Sequence, residues 1–479
     1  MDSMNSSPPS APSQGLVPDL MRIGSATVNT QMNVESDILE PVVFNQRFCR
    51  FRLQNKGILH SNSKLTFSVD VKNHAAGKCA FPLNVGVHSL IDRCVLKASN
   101  KTICETSDFA HFSAYQSTFI NPQHNKQREA LTTGRMMCRK WLYDDQSDNE
   151  ASKYTLDFGI EVDERAGGAA FVNDIPRFCE IEKGSGDSKN GTKTSPVFQI
   201  ALNDLFPFLK MNQLPLYMFK EDIDLELHFT DSHKRGFTKA DHNTDFHIDQ
   251  DQVSMIADYI FYPQEMMEAY ANANRQMSFT YVDYRLNKRT IDNAANESQT
   301  AIQNVGGAGR IVNKVFYSLS QDKAAGVAEQ SPFNVYTAQG TLVTRGGAEL
   351  ERNMGILSHN VRYNDNYLYP IDITNRARLF SNLAQAHGSN PFISKDEYSG
   401  EQNLITTEDV MGRGLDTALS TKLQFVEDRL NRNERINSRG IELYDTWQGL
   451  PAVSFTWRVW LEVVRMATLT DGVITPVYA

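Results

Sequence analysis

Apolar residues recur at every second position in two well-separated stretches of this chain. Residues 214–230 read LPLYMFKEDIDLELHFT, where Ile223, Leu225, Leu227 and Phe229 share one face and Asp224, Glu226 and His228 the other. Residues 450–464 read LPAVSFTWRVWLEVV, with Val453, Phe455, Trp457, Val459 and Leu461 opposed by Ser454, Thr456 and Arg458. A period of two is that of a half-buried β-strand. Proline cannot donate inside a sheet but can open a strand, so each Leu-Pro reads as an entry point. The two stretches are therefore expected to be copies of one strand in a repeated β-domain. RFCRFRLQ, KLTFSVDV, SLIDRCVL and SMIADYIFYP read as further strands; in the second, Leu65, Phe67, Val69 and Val71 alternate with polar residues.

Order repeats as well as period. SLIDRCVL ends in the turn-like KASNKT, followed by the helix-like SDFAHFSAYQSTF, where Ser107 or Asp108 is placed to cap the first turn. Roughly 266 residues later, about a domain length, ILSHNV leads through the polar RYNDN and YLYP to DITNRARLFSNLAQAHG, a helical pattern with Gly388 as C-cap. Each half then closes on its Leu-Pro strand and one strand more, SMIADYIFYP in the first and VVRMATLTDGVITPVY in the second. Between the halves, PQEMMEAYANANRQ carries Pro263 at a helix start and good helix formers after it.

These signals divide the chain into a flexible arm at 1–40, a first domain at 41–263, a helical linker at 264–276 and a second domain at 277–479. The arm opens NSSPPSAPSQG, too polar and proline-rich to bury a core. Many short strands with little helix predict an all-β chain, each domain an eight-stranded antiparallel sandwich or jelly roll. Polar excursions are expected at 181–197, 285–310 and 319–345. The third carries Val327, Phe333, Val335 and Tyr336, apolar side chains that another subunit would cover.

Length and composition fit this picture. A chain of 479 residues suits two domains of about 200. No apolar run is long enough to span a membrane, and the N-terminus lacks a basic-then-apolar leader, so synthesis in the cytosol is expected. Cys49, Cys79, Cys94, Cys104, Cys138 and Cys179 all fall in the first part of the chain with no C-x-x-C pair, which favours reduced thiols over a disulfide framework. A net charge of −9 argues against a surface built for nucleic acid.

Candidate chemistry is sparse. His228, His233, His242 and His247 lie near several aspartates, but without H-x-H or H-E-x-x-H they read as a solvated loop between strands. VGGAGR at 305–310 precedes a strand signal and not the helix that a phosphate cradle needs. There is no G-x-S-x-G elbow and no Walker loop. Adjacent acids such as Asp144 and Asp145 arise by chance in so acidic a chain, and sequons at Asn5, Asn100, Asn190 and Asn296 carry no weight without a leader. DRLNRNERINSR places Arg429, Arg432, Arg435 and Arg439 in one run interleaved with Asp428 and Glu434, a solvated or intersubunit salt-bridged face. Trp457 is expected in the core, and Trp460, on the other face, against a second sheet, a helix or another subunit. No catalytic, cofactor or metal residue is assigned.

Arm, paired domains, post-turn helices, the stretch FQIALNDLFPFLKMNQLPLYMFKEDIDLELHF and the C-terminal WRVWLEVVRMATLTDGVITPVY together resemble a double jelly-roll major capsid protein, closest to those of virophages and Polinton-like viruses. The resemblance spans roughly residues 40–479. It implies a homotrimer whose six rolls form a pseudo-hexameric capsomer tiling an icosahedral shell of a double-stranded DNA virus. It further implies contacts with neighbouring capsomers and with penton and minor capsid or cement proteins, no sequence-specific nucleic-acid binding and no cofactor. The location implied is the virion, after synthesis in the host cytoplasm. A two-domain β-sandwich carbohydrate-binding protein or hydrolase, or an adhesin, would share the strand pattern.

Overall fold

The computed structural model describes residues 32–72, 85–119, 197–230, 245–292, 299–320, 355–375, 418–422, 435–448 and 454–477, with shorter pieces between them. Two similar sets of eight strands account for most of it. The first set is β1 (Asn33–Leu39), β2 (Phe48–Leu53), β3 (Lys64–Phe67), β4 (Ile91–Ala98), β5 (Lys101–Ser107), β6 (Phe198–Ala201), β7 (Ile223–Phe229) and β8 (Ser254–Phe261). The second is β9 (Gln276–Asp292), β10 (Gln299–Gly306), β11 (Val312–Ser320), β12 (Gly355–Tyr363), β13 (Asn366–Tyr367), β14 (Ala418–Lys422), β15 (Ile441–Gln448) and β16 (Ser454–Thr470), to which β17 (Val473–Val477) adds.

The first half forms one sheet in the order β1-β8-β3-β6 and another in the order β2-β7-β4-β5. The second half forms β9-β16-β11-β14 and β10-β15-β12-β13. Each second-half order is the first-half order moved on by one set, and the pairings are antiparallel. The expected two eight-stranded antiparallel sandwiches are present.

Their correspondence corrects the reading of the two Leu-Pro strands. The first, Ile223–Phe229, is the seventh strand of its set, while the second lies within β16, the eighth. The true counterpart of β7 is β15, and that of β16 is β8. Period-two alternation identifies a strand without saying which one, and proline can open either. Nor does VVRMATLT form a strand apart from the Leu-Pro strand, since Ser454–Thr470 is a single strand of 17 residues.

Three further expectations change. The arm was expected to run to residue 40, but Asn33–Leu39 is a strand paired along its length with β8, so the first sheet begins ahead of the boundary at 41; residues 1–31 lie outside the described part. The excursion at 285–310 is mostly strand, because β9 continues to Asp292 and β10 occupies Gln299–Gly306. In β10, Ala301, Gln303 and Val305 are buried and Thr300, Ile302 and Asn304 exposed, an alternation hidden by polar residues on both faces. Residues 327–345 of the third excursion are outside the described part, as are most of 183–196 and of 376–388, where Arg378, Asn382 and Ala386 alone are seen as helical.

Burial explains the strands' faces. Ile223, Leu225, Leu227 and Phe229 of β7 point into the core. Asp224 and Glu226 opposite them are also nearly buried, 6% and 7% exposed, because cations flank β7 on both sides. Arg52 of β2 reaches Asp224 at 2.9 Å, and Lys97 of β4 reaches Glu226 at 2.6 Å. Two helices complete the frame positioned below: α1 (Phe109–Phe119), directly after β5, and α3 (Gln264–Ala273), after β8, with a short turn α2 (Pro207–Met211) between them in sequence. No helix among the described residues is long and apolar enough to cross a membrane.

Leu225→Ala should lower the unfolding free energy by about 2–5 kcal/mol, through lost burial and the cavity left behind. Ile302→Thr, on the exposed face of β10, should change it by about 0.5 kcal/mol or less. Urea unfolding of both variants checks the two faces.

Candidate functional site

The residues that stand out for chemistry are at the junction of the two halves. Helix α1 packs on the outer face of the β9-β16-β11 sheet through aromatic rings. Phe112 lies 4.4 Å from Tyr284, and 6.0 Å from both Phe316 and Trp460. Tyr115 stacks on Phe316 at 4.8 Å, and Phe316 on Trp460 at 5.6 Å. Trp460 thus meets a helix, one of the partners its outward position allowed. Trp457, on the other face, lies in the core of the second half, edge-on to Trp447 at 4.9 Å and Tyr317 at 5.5 Å.

A buried charge pins the start of α1. Asp108 has a left-handed backbone, φ +56°, and is 3% exposed. Its carboxylate accepts from Arg458 Nε at 2.6 Å and Lys288 Nζ at 2.6 Å, both from the second half, and lies 2.8 Å from His111 Nδ1 one turn along α1. The residue expected as a helix cap is therefore a cross-link between halves. Burial alone would raise its pKa, but His111, Arg458 and Lys288 outweigh burial and hold it well below the usual carboxylate range.

A second buried pair lies where β9 crosses β5. Arg465 Nη1 donates to Asp283 at 2.8 Å and to the Ile103 carbonyl at 3.1 Å, which also accepts from the Tyr281 hydroxyl at 2.7 Å. The Glu105 amide donates to the other oxygen of Asp283 at 3.2 Å. From α2, Phe208 meets Tyr281 edge-on at 4.9 Å, and the Asn212 amide donates to the Thr280 carbonyl at 3.1 Å.

A third contact is made by the β16–β17 turn. Asp471 and Gly472 both have positive φ, +50° and +87°, as a two-residue hairpin of type I′ demands. The Lys220 amide donates to the Gly472 carbonyl at 2.8 Å, and a Cβ on Gly472 would stand 2.7 Å from Lys220 Cγ. Glu221 accepts from the Ile474 amide at 3.1 Å and pairs with Lys101 at 3.1 Å. The Asp-Gly pair was a turn signal available in the sequence; the partners of Asp108 and Asp283, hundreds of residues away, had none.

With this geometry in view, comparison with known proteins is informative at the level of structure. No family model matches the chain, and no curated protein matches it. Solved structures match over nearly its whole length. The structure of the Sputnik virophage aligns over 100% of this chain and 93% of its own at 12% identity, TM-score 0.57. The Faustovirus major capsid protein aligns over 93% and 92% at 10% identity, TM-score 0.54. The mavirus major capsid protein aligns over 100% and 96% at 10% identity, TM-score 0.52. The chain is a double jelly roll.

The other sequence candidates do not converge in this double jelly roll. His228 sits on β7 beside Phe48, 5.0 Å away, its pKa lowered by burial and then by Arg93. The strand holding His247 pairs with Val69–Lys72, while His233 and His242 lie outside the described part. Among the described residues no group of three or more His, Cys, Asp or Glu could hold a metal. In VGGAGR, Gly306, Gly307 and Gly309 take positive φ in a turn that leads into β11. Of the basic run, Arg439 pairs at 2.5 Å with Asp365, an exposed partner within the chain, and residues 428–434 are outside the described part, as are Asp144 and Asp145. Cys49, Cys94 and Cys104 are buried free thiols, and burial pushes Cys49 up to about 12.

Two features were not anticipated. Asp445 accepts from the Tyr317 hydroxyl at 2.7 Å and lies 2.7 Å from His359 Nδ1. All three are at most 1% exposed, and the cluster ties the sheets of the second roll together. A cleft of about 340 Å³ opens between the rolls, lined by Phe109, Phe112 and Tyr284 together with Asp204, Lys210 and Met211.

Asp108→Asn should cost about 3–5 kcal/mol at pH 7, since it leaves Arg458 buried without its counter-charge. Because the folded-state pKa of Asp108 is lowered from the ordinary 3.8, its contribution is complete above about pH 4 and fades as the pH falls through the lowered value. Urea midpoints of wild type and variant should therefore converge in strong acid and stay apart at pH 5 and 7.

Proposed function

We propose that this chain is the major capsid protein of a double-stranded DNA virus of the virophage or Polinton-like kind. Three copies form a pseudo-hexameric capsomer, and capsomers tile an icosahedral shell. The observation that carries this reading is the end-to-end likeness of both rolls, in order, to the Sputnik, mavirus and Faustovirus structures. That likeness covers the junction as well as the separate sandwiches. A tile must present its two halves at one fixed angle, and the buried Asp108 and Asp283 pairs supply that fixity.

In this reading the division of the chain is an arm, a first roll opening at β1, the helical linker around α3 and a second roll from β9 onward. The chain works by association and has no turnover. A ring of three uses one heterologous contact three times, and its two similar rolls give a six-fold outline around a three-fold axis. The partners are other copies, neighbouring capsomers, and penton and minor capsid or cement proteins. The location is the virion, following synthesis in the host cytoplasm.

Purified protein should sediment as a trimer of about 160 kDa, built from 54.0 kDa chains, and negative-stain images should show pseudo-hexagonal particles. Its thermal midpoint should rise with concentration where the trimer dissociates reversibly. A folded monomer at tens of micromolar that binds glycan or hydrolyses a substrate would sink the capsid reading in favour of a β-sandwich lectin or hydrolase.

A further inference from the structure

At the junction inside the chain, the helix that follows the fifth strand of the first roll covers the outer face of the β9-β16-β11 sheet of the second. A row across that face, Leu286, Trp460 and Phe316, is aligned by the pairings Leu286↔Trp460 and Phe316↔Trp460. Trp460 and Phe316 are fully buried there against Phe112 of α1. The same places in the first roll belong to β1, β8 and β3, with β6 beyond. A row across their outer face is Ile38, Ile256, Lys64 and Ala201, set by Ile38↔Ile256, Ile256↔Lys64 and Lys64↔Ala201. Leu39, Met255 and Leu65, one position along each strand, are buried in the core, so this row faces away from it. It is not shielded as the matching row is: Ile38 is 74% exposed, and the other three are only half-buried.

The second roll has its own element at the place of α1. It follows β13, which pairs with β12 as β5 pairs with β4. Pro370, Ile371 and Asp372 are exposed there, and Arg378 beyond them is helical and exposed. Ile371, at 77%, and Ile38 are the two most exposed large apolar side chains among the described residues. One stands on each of the two surfaces that correspond to the halves of the internal junction. Charge is complementary between these surfaces as well, with its polarity reversed. Inside the chain the helix start brings the acid Asp108 to the cations Arg458 and Lys288. Here the helical side brings Arg378, and the sheet side carries Asp258 and the exposed Glu40.

We propose that the segment after β13 of one copy, led by Ile371, seats on the outer face of the β1-β8-β3 sheet of a second copy around Ile38 and Ile256. It does between chains what α1 does within one. The contact joins unlike places in the repeat, so it runs head to tail. Contacts of this one kind, alternately inside a chain and between chains, close a ring of six rolls from three copies. The proposal rests on the trimeric reading above and names the surfaces that make the trimer. Burial of Ile38 and Ile371 supplies the attraction, and Arg378 opposite Asp258 and Glu40 guides the approach.

Two kinds of variant test it in the full-length chain. Ile38→Lys and Ile371→Lys should each leave the circular dichroism spectrum unchanged. Each should raise the protein concentration needed for half-association, followed by sedimentation velocity, about tenfold or more. A chain carrying both Ile38→Cys and Ile371→Cys, treated with a short bismaleimide, should run as covalent dimer and trimer on a denaturing gel. Peptide mapping should find position 38 joined to position 371. Chains with only one of these cysteines should link only when the two kinds are mixed. Links from 38 to 38 or from 371 to 371 would mean a like-to-like contact and overturn the proposal. A trimer that survives both lysine variants and yields no link from 38 to 371 also overturns it, while leaving the capsid reading standing. A wild-type chain that is monomeric at tens of micromolar overturns both. If Ile38→Cys resists maleimide in the dilute monomer until residues 1–31 are deleted, the face belongs to the chain's own N-terminal segment and the proposal falls.

Discussion

A carboxylate with almost no exposure is tolerated inside a protein only where cations meet it, and Asp108 is such a carboxylate. Its position at the end of β5 aims α1 out of the first roll, and its partners Arg458 and Lys288 belong to the two longest strands of the second. Without those cations the helix start would carry an unpaired buried charge. Without the helix, the face of β16 bearing Arg458 and Trp460 would be open to water. Each half thus completes the other, and one continuous cluster of buried side chains runs through both.

The ion pairs and the aromatic stack do different jobs at this junction. Rings such as Phe112, Tyr284, Phe316 and Trp460 pack across it, a non-directional gain that would tolerate sliding by part of a residue. Sliding is what the charged groups forbid. Arg465 must reach both Asp283 and the Ile103 carbonyl, and Asp108 must meet two cations at once, so displacement strands a buried charge. Burial holds the halves together and electrostatics selects the angle between them.

How far the sequence discloses this depends on the range of the forces involved. Strand alternation is local, and it marked β3, β4, β7 and β8 directly. The repeat was legible in the strand, turn and helix block around β4, β5 and α1. Assigning the Leu-Pro strands to one another failed because the seventh and eighth strands of a roll alternate alike, and only pairing partners tell them apart. Strand β10 was hidden because Gln303 takes a core-facing position and Ile302 an exposed one, inverting the usual pattern. The junction was illegible for a further reason. Asp108 looks like a helix cap by its neighbours in sequence, and it does precede α1, its carbonyl accepting from the Phe112 amide; what gives it a further role is Arg458, 350 positions along.

The long strand β16 has a consequence for how such a protein comes into being. It sits between β9 and β11, carries Arg458, Trp460 and Arg465, and leads into the Gly472 turn that seats against Lys220. Every tie between the rolls that passes through these residues is made by segments that leave the ribosome after all the others described. The first roll can collapse early during translation, yet its α1 face and its Met218–Glu221 rim stay uncovered until β16 and β17 emerge. A chain that stops short of β16 lacks the Arg458, Arg465 and Gly472 ties and leaves the α1 rings without Trp460. Translation itself becomes a quality gate: only a polypeptide read through β17 can form every one of these ties between its two rolls.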